Sequence, residues 1–229
     1  MFTVDLLIYK GFNGFLTLFC KMFYLVKTPW WLRRIYCRQI WKMPARKNVI
    51  YLSFDDGPHP VITDFVLGEL KKYNAKATFF CIGKNVGLHN EIYQKLLLQG
   101  HSVGNHTNDH LNGWKTDNDI YIDNIDVAAE IIKSNLFRPP YGRIKNSQRR
   151  LLSAAPKNYK IIMWTVLSGD FDTSISGERC AANMIDNIVP GSIVVLHDSE
   201  KAFERLKYAL PLVLKHFSEK GYTFESINL

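Results

Sequence analysis

The chain has 229 residues, of which 47% are apolar and 22% charged, and it carries a net charge of +8. This length and apolar content are typical of one large globular α/β domain with a real core. Four widely spaced cysteines without a C-x-x-C pair indicate neither a thiolate zinc site nor a disulfide framework.

The first 48 residues hold nine Lys and Arg against the single acid Asp5, whereas residues 49 to 229 are neutral overall. Cations among aromatic side chains suit an anionic lipid surface. The longest uncharged stretch, Gly11 to Cys20, is too short to span a bilayer, and no signal-peptide pattern is present. We therefore predict a domain boundary near residue 48 and a peripheral membrane contact for residues 1–48. The protein is expected either in the cytoplasm or peripherally at the membrane or cell envelope. The alternative is a docking segment whose Trp side chains cover the barrel.

From residue 49 onward, strand and helix patterns alternate. Strands are predicted at 49–54, 75–82, 101–105, 136–138, 159–166, 192–196 and 222–225. Helices are predicted at 63–73, 91–99, 120–134, 147–155, 178–188 and 202–215. This alternation predicts a single domain, residues 49–229, with a distorted (β/α) barrel of seven or eight strands. An open doubly wound sheet is the alternative.

Titratable side chains follow the ends of five predicted strands. Asp55 and Asp56 end the first, where Gly57-Pro58 stops both strand and helix. The others are His106 with His110, Arg138, Asp170 and His197. Because parallel strands place their C-terminal ends on one face, these groups should converge in one cleft.

Three of these side chains form a candidate metal site. His106 and His110 are four residues apart, which presents both imidazoles to one side if the turn after Asn105 is helical. Asp56 can supply a third ligand. Two histidines and one carboxylate leave positions open for water and substrate, as in catalytic divalent sites. Such an ion would polarise a carbonyl and lower the pKa of its bound water.

Two further groups are suited to proton transfer. Asp55 is the predicted general base and His197 the predicted general acid for an amine leaving group. Arg138 can pair with Asp55, and Asp170 with His197, so that each proton-transfer group has a partner that tunes it. A non-haem iron oxygenase uses the same ligand set but has no purpose for this acid-base pair. A non-catalytic carbohydrate-binding domain that kept the groove is the other alternative.

In this order, the motifs resemble those of the polysaccharide deacetylase family, the NodB-homology domain of carbohydrate esterase family 4. The five matching segments are residues 53–58, 106–110, 138–142, 164–171 and 195–198. The resemblance implies a distorted barrel that removes N-acetyl groups from N-acetylhexosamine polymers with a divalent metal. The expected ion is Zn2+, with Co2+ or another divalent ion as alternatives. The resemblance also implies an oxyanion stabilised by the metal and the backbone N–H of Tyr141. The implied groove residues are Pro140, Tyr141, Trp164, Phe171 and Leu196, with Trp164 and Leu196 around the acetyl group.

One departure from the family pattern concerns the fourth motif. Family members often read Trp-x-x-Asp-x-x-Asp-Trp, whereas this chain has Leu167 at the first Asp position and Phe171 at the second Trp position. Asp170 is retained. Phe171 keeps an aromatic wall without an indole N–H, which bears on substrate preference. The predicted partner is peptidoglycan, chitooligosaccharide or another acetylated surface or lipid-linked glycan, and not a nucleic acid.

Overall fold

Short parallel strands form the centre of the fold. The computed structural model describes residues 24–44 and 48–229; the remainder of the basic N-terminal segment lies outside the described residues. The strands are β1 (Val49–Asp55), β2 (Thr78–Cys81), β3 (Ser102–Asn105), β4 (Leu136–Phe137), β5 (Lys160–Ile161), β6 (Val166–Leu167), β7 (Ile193–His197) and β8 (Thr223–Phe224). Their order is β5-β4-β3-β2-β1-β7-β6, with β8 paired to β1. This curled parallel sheet confirms the predicted distorted barrel.

Helices connect the strands and cover the sheet. They are α1 (Trp30–Ile35), α2 (Ile62–Lys72), α3 (Gly83–Leu88), α4 (Asn90–Leu98), α5 (Asn118–Ala129), α6 (Asn146–Ser153), α7 (Gly177–Ile185) and α8 (Glu200–Glu219). The six predicted helices are present, whereas the sequence analysis missed the six-residue helices α1 and α3. One or two turns of helix carry too little periodicity to be recognised.

The prediction of one continuous strand over 159–166 is wrong. Its residues form β5, an irregular stretch and β6. In that stretch the N–H of Met163 donates to the carbonyl of Ile40 at 2.7 Å, while the N–H of Thr165 donates to the carbonyl of Ile193 at 3.0 Å. The backbone therefore turns from one partner to another, which a run of apolar residues does not reveal.

Alternating side chains of β1 divide between two environments. Ile50, Leu52 and Phe54 are fully buried in the main apolar cluster, together with residues of α2, α7 and α8. Ser53 and Asp55 alternate with them and belong to the other face of the strand. Tight packing behind β1 therefore fixes the strand whose last residue is a carboxylate.

Residues 24–44 bridge the two ends of the sheet, where β5 and β6 have no strand partner on their outer side. The N–H of Ile40 donates to the carbonyl of Ile161 in β5, and the N–H of Leu167 in β6 donates to the carbonyl of Val26, each at 2.8 Å. Trp41 of this segment is buried. The segment thus supplies part of the barrel wall that the strands leave open.

Not every aromatic side chain of this segment packs on the barrel. Trp30 and Trp31 of α1 are 64% and 46% exposed, and Ile35 is 65% exposed. Within the described ranges, no helix combines the length and apolar character needed to cross a bilayer.

Candidate active site

The strand ends predicted to converge do so around one cavity. Asp55 is the last residue of β1, and His197 is the last residue of β7. The cavity has an empty volume of about 950 Å3, counted to its open mouth. Its polar lining includes Asp55, Asp56, His106, His110 and His197. Arg138 and Asp170 are fully buried behind it.

The structure brings the three candidate metal ligands together. Nε2 of His110 lies 3.2 Å from Oδ1 of Asp56, and Nε2 of His106 lies 3.7 Å from the same oxygen. One ligand atom from each of the three residues falls within 4.8 Å of the others. The expected helical turn after Asn105 is wrong, because Thr107 and His110 have positive φ angles of 65° and 57°. A bent loop, rather than helical spacing, turns both imidazoles towards Asp56.

The surroundings of these side chains fit a metal ion. Nδ1 of His106 lies 2.7 Å from the carbonyl oxygen of Arg138, which can only accept, so this nitrogen carries the proton. The lone pair of Nε2 therefore faces Asp56. Burial lowers the pKa of His106 to about 4, which keeps the ring neutral at pH 7. Nδ1 of His110 lies 3.1 Å from the hydroxyl of Tyr141. A neutral, oriented imidazole beside a carboxylate is the donor set that divalent metals take.

Asp56 is ionised in this setting. Burial opposes its charge, but a hydrogen bond from His110 and the imidazoles of His197 and His106 outweigh burial and hold the pKa of Asp56 well below its usual range. The φ angle of Asp56 is 82°, in the left-handed region. Such backbone strain at a non-glycine residue is typical of functional sites, where the surroundings hold a side chain in one direction.

Asp55 is fixed by a buried arginine. The guanidinium of Arg138 donates to Oδ1 of Asp55 at 2.7 Å and to the hydroxyl of Ser53 at 2.8 Å. The same guanidinium lies 4.1 Å above the ring of Phe80 and donates to the carbonyls of Ile162 and Met163. The carboxylate is therefore oriented by a charge that is itself held on several sides.

His197, the register neighbour of Asp55 on β7, is fixed by Asp170. One carboxylate oxygen of Asp170 accepts from the backbone N–H of His197, and the other lies against Nδ1, both at 2.7 Å. Burial alone would lower the pKa of His197, but the charge and hydrogen bond of Asp170 dominate and raise it to about 10. The imidazole is therefore protonated at neutral pH, as a proton donor requires.

The apolar walls of the cavity agree only partly with the predicted groove residues. Trp164 and Phe171 line it, and Tyr141 lies at its mouth with 49% of its surface exposed. Leu196 does not line it: this side chain is buried in the main apolar cluster opposite Phe54, and Val195 takes the expected place. Pro140 is buried and is not among the lining residues.

Three side chains with a place in this site were not assigned roles from the sequence. Ser53 supports Arg138, and Lys201 lines the cavity. Asp198 is buried and accepts from the backbone N–H of Gly57 at 3.0 Å and from the hydroxyl of Thr63 at 2.5 Å. A Cβ atom on Gly57 would lie 2.0 Å from Oδ2 of Asp198, so only glycine fits there. The sequence does contain a signal that places Ser53 in the site, because Ser53 alternates with Asp55 along β1 and shares its face. It contains no such signal for Lys201.

Carboxylates and histidines gathered at the strand ends of a curled parallel barrel are typical of a hydrolase active site. The family model described as polysaccharide deacetylase matches residues 42–159, more than half of the chain. The chain belongs to the polysaccharide deacetylase family, as its sequence motifs predicted. A peptidoglycan-N-acetylglucosamine deacetylase of Bacillus cereus is 32% identical over 195 residues, covering 82% of this chain and 90% of the relative.

Solved structures give the same fold. A crystal structure of a peptidoglycan N-acetylglucosamine deacetylase in complex with 4-naphthalen-1-yl-N-oxidanyl-benzamide has a TM-score of 0.78 and 29% identity, covering 86% of this chain and 94% of the other. A CE4 family pseudoenzyme from Bacillus anthracis has a TM-score of 0.73 and 24% identity, covering 82% of this chain and 67% of the other. At that identity the second likeness is one of fold alone.

Proposed function

We propose that this chain hydrolyses the N-acetyl group of N-acetylhexosamine residues in a bacterial cell-envelope glycan, releasing acetate and a free amine. The observation that carries this proposal is the placement of two partnered proton-transfer groups around one cavity. Asp55 is held by Arg138, and His197 is held by Asp170. The same cavity is lined by Asp56, His106 and His110, whose ligand atoms lie within 4.8 Å of one another.

Each group has a defined part in the reaction. Asp55 takes a proton from the attacking water as the new C–O bond forms at the acetyl carbon, and the amide C–N bond then breaks. His197 gives its proton to the departing amine nitrogen. Tyr141 contributes its backbone N–H to the developing oxyanion. A divalent metal, for which we propose Zn2+, would be held by Asp56, His106 and His110, and it would polarise the carbonyl and acidify water.

The apolar walls support a sugar substrate. Trp164 and Phe171 offer ring faces in the cavity, and Tyr24 packs on Phe171 with 5.1 Å between ring centroids. Aromatic faces beside a few oriented polar groups are the usual composition of a carbohydrate site. By similarity to the Bacillus cereus relative, peptidoglycan N-acetylglucosamine is the first candidate; chitooligosaccharide is the second.

A non-catalytic carbohydrate-binding domain is the competing function, because a pseudoenzyme shares this fold. The intact Asp55–Arg138 and His197–Asp170 pairs favour turnover, since a binding groove has no use for two proton-transfer groups that each carry an ion-pair partner.

The purified chain is therefore expected to retain about one equivalent of Zn2+ per chain and to release acetate from peptidoglycan fragments or chitooligosaccharides. Metal content by elemental analysis and product mass by mass spectrometry measure both, and chelation followed by Zn2+ addition should abolish and restore turnover. Glycan binding without acetate release, in the presence of bound metal, would support the non-catalytic alternative.

We also propose that the exposed face of α1 contacts an anionic membrane surface. Residues 24–44 contain five cations, Lys27, Arg33, Arg34, Arg38 and Lys42, and no acid. Trp30, Trp31 and Ile35 are exposed beside them. Indole rings next to cations suit the headgroup region of a bilayer.

Replacing Trp30 and Trp31 with serine is expected to weaken binding to phosphatidylglycerol vesicles by roughly tenfold, because two indole rings no longer insert. Sedimentation measures the bound fraction. The matched control is Val61→Ser with Leu88→Ser, which also removes two exposed apolar side chains, 63% and 65% accessible, from elsewhere. Equal binding to phosphatidylcholine vesicles, or no loss in the Trp variant, would contradict the membrane contact.

A further inference from the structure

A second, apolar groove adjoins the catalytic cavity. It lies between residues 24–44 and the barrel, and its empty volume is about 750 Å3, counted to its open mouth. Three residues, Gly142, Trp164 and Leu167, line both this groove and the catalytic cavity. The two spaces are therefore adjacent, with Trp164 and Leu167 at their common boundary.

The lining of the groove suits a hydrocarbon chain. Leu25, Leu32, Ile144, Met163 and several aromatic rings form its walls, and none of the described residues that line it is charged. Such a lining suits a single alkyl chain, which has no charge or hydrogen-bonding group to desolvate.

Polar atoms along the groove are largely committed within the protein. The hydroxyl of Thr28 donates to the carbonyl of Trp164 at 2.9 Å, and the indole N–H of Trp41 donates to the carbonyl of Tyr36 at 2.9 Å. The indole N–H of Trp114 donates to the carbonyl of Ile144 at 3.2 Å. These bonded groups are not free to orient the hydroxyls of a sugar, whereas a hydrocarbon needs no such partner, so the internal bonds favour an apolar ligand.

The charge of the groove-forming segment points to the source of that ligand. Residues 24–44 hold five cations and no acid, and their exposed Trp30 and Trp31 suit a lipid surface. The segment that builds one wall of the groove is thus complementary to an anionic bilayer, where sugars attached to hydrocarbon chains reside.

We propose that the substrate is an amphiphile: an N-acetylated amino sugar whose attached hydrocarbon chain lies in the groove between residues 24–44 and the barrel, while the sugar occupies the catalytic cavity. This proposal rests on the deacetylase function proposed above and names the substrate class of that site. Leu167 has a direct part in this proposal, because it lines both spaces and keeps their boundary uncharged. A carboxylate at this position would place a charge between the cavity and the groove.

The test compares three soluble compounds below any micelle concentration: the methyl and octyl β-glycosides of diacetylchitobiose, and chitotetraose. With the Zn2+-loaded chain, the octyl compound is expected to show at least roughly tenfold higher kcat/KM than the methyl compound, since burying two methylene groups already corresponds to that factor. The gain should lie in KM. Equal values for the two glycosides, or a gain only with chitotetraose, would overturn the proposal.

A pair of variants locates the effect. Leu25→Asp places a carboxylate in the groove, where Leu25 is 37% exposed, and should remove most of the octyl advantage while the methyl compound reacts as in the parent chain. Leu98→Asp is the matched control, since Leu98 is 87% exposed on α4 and does not line the groove; it should keep the full advantage. An unchanged advantage in Leu25→Asp would also overturn the proposal.

Failure of the deacetylase function can be distinguished from failure of the groove proposal. Methyl and octyl β-cellobioside carry no acetamido group, so calorimetry measures their binding without turnover. Roughly tenfold tighter binding of the octyl compound, together with no acetate from any acetylated compound, would contradict the deacetylase function and support the groove. Equal binding of the two cellobiosides, with acetate released equally from the acetylated pair, would contradict the groove and leave the deacetylase function in place.

Discussion

Replacing Asp55 with asparagine is expected to reduce kcat by roughly 10²- to 10⁴-fold, the usual contribution of a general base, while Zn2+ content stays the same. An amide offers no basic oxygen to take a proton. It still presents an oxygen to the guanidinium of Arg138, which donates to Oδ1 of Asp55 at 2.7 Å. The three candidate metal ligands are untouched. Steady-state acetate release and elemental analysis measure the two effects.

The neighbouring variant Asp56→Ala is the matched comparison. It removes the carboxylate that lies 3.2 Å and 3.7 Å from the Nε2 atoms of His110 and His106, so both metal content and turnover should be lost. The two adjacent aspartates are thus expected to differ in Zn2+ content, which Asp55→Asn keeps and Asp56→Ala loses. Loss of Zn2+ in Asp55→Asn, or more than about a tenth of the parent kcat in that variant, would contradict the assignment of Asp55 as the base.

Stability has to be followed in the same experiment. Arg138 is fully buried, and Asp55→Asn leaves its charge without a full counterion, a change that typically destabilises a protein by about 3–5 kcal/mol when a buried partner is removed outright. The retained amide oxygen should keep the loss below that range. Thermal unfolding fixes a temperature at which both variants remain folded, and kinetics are compared there.

The convergence of the site could be predicted because it follows from the direction of parallel strands. A strand that ends in a titratable residue delivers it to one rim, whichever strand it is. A second rule, the alternation of side chains along one strand, also places groove residues. Side chains alternate along β7, so Val195 must share the face of His197, and Leu196 must point the other way. In β1, Ser53 shares the face of Asp55 for the same reason.

Other features could not be predicted because they depend on distant contacts. Nothing local in residues 24–44 indicates that Val26 and Ile40 bond to opposite ends of the sheet. The loop from Asn105 to His110 is another case. Positive φ angles at Thr107 and His110 are not favoured by the residues themselves; Asn105 Oδ1 accepts from the N–H of Thr107 at 2.8 Å and helps to hold the bend. Local propensity favours neither the bonding of residues 24–44 to the sheet nor the bend from Asn105 to His110. Tertiary structure imposes both features.

Replacing Asp170 with asparagine is expected to lower kcat/KM at pH 8 by roughly 100-fold or more and to move the alkaline limb of the pH profile to lower pH. Burial lowers the pKa of His197, and Asp170 is the largest of the influences that raise it to about 10, with smaller contributions from Asp56 and Asp55. Without the charge of Asp170 the pKa of His197 falls, so the imidazole loses its proton at lower pH than in the parent chain. The amine would then leave without a proton donor. Profiles of kcat/KM from pH 5 to 10 measure the shift.

Asp172→Asn is the matched control, because Asp172 bonds to Ser174 and Tyr24 rather than to His197, and its profile should keep the parent alkaline limb.

The pH dependence of protein stability gives an independent test of the same pair. A histidine whose pKa is raised on folding stabilises the protein fully below its unfolded pKa, and this contribution is lost as the pH rises through about 10. The stability deficit of Asp170→Asn should therefore be present at neutral pH and shrink in alkali. An unchanged alkaline limb in Asp170→Asn would mean that His197 is not the acid.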